Sequence, residues 1–118
     1  LYPERQEKLR KVLDQIQLAE SALLRASELA KRGDPSGAWE SVERGFQDFP
    51  DDPKLNQARA EFTTQAAEFV RSIRTAQELE RKQQLGSSLS WYLRAQQEYP
   101  NSDLAKEGVN RLSDVILR

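Results

Sequence analysis

Residues 26–53 read ASELAKRGDPSGAWESVERGFQDFPDDP, the end of one helix, a Gly-Asp-Pro turn, a second helix and a proline-bounded stop. Gly33 supplies the left-handed residue that closes many helices. Asp34 is placed to cap the next helix, with Pro35 at its first position, where the missing N–H has no intrahelical partner anyway. At the far end Pro50 and Pro53 bracket Asp51-Asp52, so Asp52 caps and Pro53 opens a third helix. Fifty residues later the pattern returns: Ala26, Glu28 and Leu29 recur as Ala76, Glu78 and Leu79, and Gln47, Phe49 and Pro50 as Gln97, Tyr99 and Pro100. A fixed period of this kind marks a helical repeat, in which each hairpin buries an apolar face against its neighbour.

Outward from that stretch, Pro3 opens a long helix over 3–32. Its apolar residues Leu9, Val12, Leu13, Ile16, Ala19, Leu23, Ala26 and Ala30 step by three and four along one seam. The seam is too short for a confident coiled coil and is expected to pack on a neighbouring helix of the same chain. The second helix, 35–49, places Ala38, Val42, Gly45 and Phe49 on one stripe, with Trp39 and Phe46 beside it. Small residues at Ala38 and Gly45 allow close approach of the two helices. From Pro53 to Gln84 no glycine or further proline intervenes, and Leu55, Ala58, Phe62, Ala66, Phe69, Ile73, Ala76 and Leu79 keep their spacing. This predicts a second long helix, with the β-branched pair Thr63-Thr64 as its weakest point. Gly86-Ser87-Ser88 then stops and caps a short fourth helix, 88–99. A fifth, 103–117, is capped by Asn101 or Ser102 and closes the array.

The segment Ala22–Pro53 resembles a tetratricopeptide repeat, a two-helix unit of about 34 residues. Ala26, Gly33-Asp34, Ala38 and Pro50 match that family's small, turn and terminal positions, and Leu29, Val42 and Gly45 stand at further core positions. The second unit keeps Ala76, Leu79, Tyr92, Ala95 and Pro100 but has Gln83 for the turn glycine and Ser88 for the small alanine. The period departs from the family's because each first helix begins about sixteen residues early. The resemblance therefore implies an all-α, right-handed superhelical array of about five antiparallel helices in long-short hairpins. Its organisation is a single domain over 1–118, with one repeat over about 3–50, a second over about 53–100 and a closing helix over about 103–117. It also implies a groove that binds a protein or peptide. One version of the family grips a C-terminal carboxylate with Lys and Asn. Leu23 and Ser27 stand at the corresponding positions here, so that mode is not expected. The run Tyr99-Pro100-Asn101-Ser102, followed by Ala105 and Arg111-Leu112, is similar to tetratricopeptide modules of bacterial envelope proteins, which implies a place in the cell envelope.

Composition fits such an array: 37% hydrophobic residues is low for a compact globule and 31% charged residues is high. A net charge of −1 lacks the basic excess of a nucleic-acid binder. The chain has no cysteine, which excludes disulfides, thiolate metal sites and cysteine nucleophiles. It has no methionine at its start or elsewhere, which predicts a piece of a longer protein. No apolar run is long enough to span a membrane.

Trp39, Phe46, Trp91 and Tyr92 on the second helices are the candidate partner-binding residues, because Trp and Tyr are enriched at interface hot spots. Their alternative role is to fill the space between hairpins. Asp34, Glu40, Glu43, Asp48, Asp51 and Asp52 form an acidic group able to receive a basic partner, but DFPDDPK lacks the alternating ligands of a calcium loop. Arg71, Arg74, Arg81 and Lys82 form a basic set interleaved with Glu68, Glu78 and Glu80, which reads as helix-surface pairing. With no histidine, no phosphate loop and no nucleophile elbow, neither catalysis, cofactor nor metal is expected. The expected function is a non-enzymatic interaction module, with a spacer or oligomerisation element, and thus a homo-oligomer, as the alternative.

Overall fold

A computed structural model describes residues 3–118. Among them lie six α-helices and no strand: α1 (Pro3–Lys31), α2 (Pro35–Asp48), α3 (Pro53–Gln65), α4 (Ala67–Arg81), α5 (Leu85–Glu98) and α6 (Asp103–Ile116). The chain divides into two compact units, Leu1–Glu61 and Phe62–Arg118.

In the first unit α1 packs on α2. The Gly33 turn forms as its sequence dictates: Gly33 has φ +83°, its N–H donates to the Ala30 carbonyl and the Asp34 N–H to the Leu29 carbonyl. Asp34 Oδ1 accepts the Gly37 N–H at 2.9 Å, satisfying a donor that the first turn of α2 cannot. Close approach of the two helices rests on small residues. Ala26 and Ala38 have no exposed surface, and a Cβ on Gly45 would stand 3.0 Å from that of Ala22. Trp39, Val42 and Leu55 complete the interior.

In the second unit α5 packs on both α4 and α6. Its core holds Phe69, Val70, Ile73, Ala76, Tyr92, Ala95, Ala105 and Leu112, and the ring of Phe69 meets Tyr99 edge-on at 5.3 Å. The echo of the first hairpin extends to individual hydrogen bonds. Gln83, with φ +64°, stands in the left-handed position of Gly33; its N–H donates to Glu80, and that of Gln84 to Leu79. Ser102 Oγ accepts the Ala105 N–H at 3.0 Å, as Asp52 Oδ1 accepts that of Leu55 at 3.0 Å.

Three expectations change. The helix predicted from Pro53 to Gln84 is two helices, interrupted at Ala66, whose φ of −114° and ψ of 38° leave the helical basin. The break follows the Thr63-Thr64 pair, where side-chain freedom is lost on forming a helix. The apolar spacing does not slip there, so periodicity alone reads one helix where the backbone forms two, and the described residues hold six helices and not five. Second, the long-short hairpin occurs once: α1 and α2 have 29 and 14 residues, whereas α4 and α5 have 15 and 14. Third, α5 starts at Leu85 and not at Ser88, because Gln83 itself turns the chain and leaves Gly86 inside the first turn.

Candidate functional site

The unequal lengths of α1 and α2 create the most distinctive surface of the first unit. At about 1.5 Å per residue, α1 spans about 43 Å and α2 about 21 Å. Running back antiparallel from the Gly33 turn, α2 ends at Asp48, level with Ala19 of α1. C-terminal to that level the seam is covered, and Ala19 and Ala26 are buried. N-terminal to it the same seam lies open, with Leu9 60%, Val12 49%, Leu13 53% and Ile16 46% exposed. The expectation that the whole seam packs on a helix of its own chain is thus met only from Ala19 onward. The signal was in the sequence: Pro3 to Gly33 is twice the length of Pro35 to Pro50.

Where α2 ends, its exit turn bends against this open half. Val12, Gln15, Ile16 and Ala19 on one side, and Asp48, Phe49, Pro50, Asp51, Asp52 and Pro53 on the other, line an open cleft of about 430 Å³. Its floor is apolar and its rim carries three aspartates. Asp52 is engaged in capping α3, its Oδ1 accepting the N–H groups of Lys54 at 2.9 Å and Leu55 at 3.0 Å. Asp48 and Asp51 are exposed.

The four aromatic candidates do not converge. Trp39 has no exposed surface and Tyr92 only 2%, so both are core side chains. Phe46 is half-buried beneath the Arg59 guanidinium, 4.2 Å from its ring centroid, and Glu43 fixes that guanidinium through bonds of 2.8 and 3.1 Å. Trp91 is half-buried under Arg94 at 4.9 Å and lines a small cavity of about 60 Å³ with Glu68, Arg71, Ser72 and Glu98. Of the four, Phe46 and Trp91 are the ones that keep part of their surface exposed, and they belong to separate units.

The acidic group disperses in the same way. Asp34 and Asp52 cap helices, Glu40 is buried, Glu43 pairs with Arg59, and Asp48 and Asp51 face the cleft. Among the described residues no group of three or more His, Cys, Asp or Glu side chains is placed to hold a metal ion. In the basic set, Arg81 and Lys82 both reach Glu78, the latter at 3.7 Å; the Arg81 hydrogen bond lowers the Glu78 pKa from its ordinary value. Arg71 and Arg74 are exposed.

One network escaped the sequence reading. Glu80, read there as one of the carboxylates interleaved with Arg81 and Lys82, instead bridges to α6. Arg111 Nε donates to its Oε2 at 2.7 Å and an Arg111 Nη to its Oε1 at 2.7 Å, while the Tyr92 hydroxyl donates to Oε1 at 2.9 Å. The hydrogen bond from Arg111 holds the Glu80 carboxyl below its usual range, and burial followed by the hydrogen bond to Glu80 pushes Tyr92 up to about 12. This triad ties all three helices of the second unit together. No local spacing rule relates residues thirty-one apart, so only tertiary packing exposes it.

Comparison with protein-family models, with curated proteins and with solved structures finds no match. No helix of the described residues is long and apolar enough to cross a membrane.

Proposed function

We propose that this chain is a non-enzymatic protein–protein interaction module, a tetratricopeptide-like array that offers a helix face and its adjoining cleft to a protein or peptide. The observation that carries the reading is the open half of the α1 seam. Four large apolar side chains at helical spacing are held on a preformed helix with no cover, beside a cleft of mixed apolar and acidic lining. A contiguous apolar face of this kind is what helix-in-groove recognition uses. The repeated Schellman turn at Gly33 and Gln83 and the small-residue contacts at Ala26, Ala38, Ala76 and Ser88 support the tetratricopeptide-like reading.

Photo-cross-linking tests it. A benzophenone side chain at Leu13 captures a protein partner, whereas the same group at Leu93, an exposed leucine on α5, does not. Equal capture from both positions, or unfolding of the chain when Leu13 is replaced by glutamate, would overturn the assignment of this face.

A further inference from the structure

We propose that the open half of α1 is covered by a second copy of this chain, with the two α1 helices lying antiparallel and their centres between Val12 and Leu13. This rests on the interaction reading above and names the occupant. Two features of the first unit point to self-pairing. The first is that the stripe is symmetric under reversal: about a midpoint between Val12 and Leu13, Leu9 exchanges with Ile16 and Val12 with Leu13. An antiparallel copy therefore sets a large apolar side chain opposite each of the four, which is the condition for an isologous two-fold contact.

The second feature is charge. In that register, residues 6–13 of one α1 lie level with residues 12–19 of the other, the level at which Asp48 and Asp51 rim the cleft. The flank of α1 facing the cleft carries Lys8 and, one turn on, Lys11, both exposed. Pairing thus brings Lys8 and Lys11 of each copy to the exposed aspartates of the other, twice across the two-fold. A parallel two-fold pair would instead carry the lysine flank of each copy to the side of the seam opposite the other copy's aspartates.

Light scattering over a concentration series of the 118-residue chain reads the outcome. The parent chain shows a monomer–dimer equilibrium that added salt weakens. Ile16→Asp weakens it by about tenfold or more, since a carboxylate would be buried among leucines. Lys8→Asp/Lys11→Asp and Asp48→Lys/Asp51→Lys each remain monomeric alone, while their equimolar mixture forms a heterodimer, because the swapped charges then match at both clusters. Circular dichroism of each variant confirms that it is folded. A strictly monomeric parent would overturn the second copy as occupant and leave the α1 face to a different protein, which the cross-link at Leu13 identifies. Dimers in which the swapped pairs neither separate nor recombine would overturn the antiparallel register.

Discussion

Gly108 on α6 lies against the ring of Tyr92, and a Cβ there would come within 2.5–2.7 Å of three ring carbons. The ring cannot retreat, because Tyr92 is buried and its hydroxyl is tied to Glu80. Gly108→Ala is therefore expected to destabilise by about 1–3 kcal/mol, even though alanine is the better helix former by up to about 1 kcal/mol. Urea denaturation measures it, and an unchanged midpoint would show that α6 yields. Gln83 presents the opposite case. It holds a left-handed conformation that costs a side-chain-bearing residue about 1 kcal/mol, in the position that glycine occupies in the first hairpin. Gln83→Gly should raise stability by about 0.5–1 kcal/mol, with Gly33→Ala lowering it by a similar amount.

α1 is one helix with two environments. Its C-terminal half is fixed by contact with α2, where Ala26 has no room to grow, whereas its N-terminal half carries the apolar stripe on an open face. Substitutions should divide accordingly. Ala26→Leu overpacks the hairpin and is expected to cost about 1–3 kcal/mol. Leu13→Glu leaves the melting temperature of the dilute chain within about 2 °C of the parent, because little burial is lost in the monomer. Thermal melts of the two variants check this. A large loss from Leu13→Glu would mean that the stripe is packed within its own chain. The interruption at Ala66 belongs to the same scale: the apolar residues continue in phase through it, so periodicity reads α3 and α4 as continuous while the backbone does not.

For the molecule as a whole, the Glu80–Tyr92–Arg111 triad sets limits on stability at both ends of the pH scale. Arg111 holds the folded Glu80 pKa below its ordinary 4.5, so in acid the unfolded chain takes up a proton before the folded one does. Stability from this group is present above 4.5 and falls as pH drops below it. Tyr92 behaves inversely: with its folded pKa raised from 10.0 to about 12, the unfolded chain loses the proton first, and stability falls as pH rises from 10 toward 12. In melts across pH, Glu80→Gln should flatten the acid limb. Tyr92→Phe should remove the alkaline limb and retain most of the acid one, since Arg111 is the main partner of Glu80. Equal behaviour of both variants would place the titration elsewhere. Glu78, fully exposed beside Arg81, adds little because water screens the pair.

The sequence by itself determined the helical class, the turn at Gly33-Asp34, the caps at Asp34 and Asp52 and the fifty-residue echo. The class, the turn and the caps depend on residues within a few positions of one another, where backbone sterics and capping hydrogen bonds act, and the echo is that local pattern repeated. It also contained the apolar seam of α1. The segment lengths showed that one half of the seam outruns α2, but only the tertiary structure decided that this half stays on the surface, because burial depends on what packs there in space. The same holds for the aromatic residues: Trp39 and Tyr92 share the composition of hot-spot residues, and packing alone put both inside. The Glu80–Arg111 bridge is tertiary for the same reason, since two charged side chains thirty-one residues apart are neighbours only once α4 and α6 have both packed against α5.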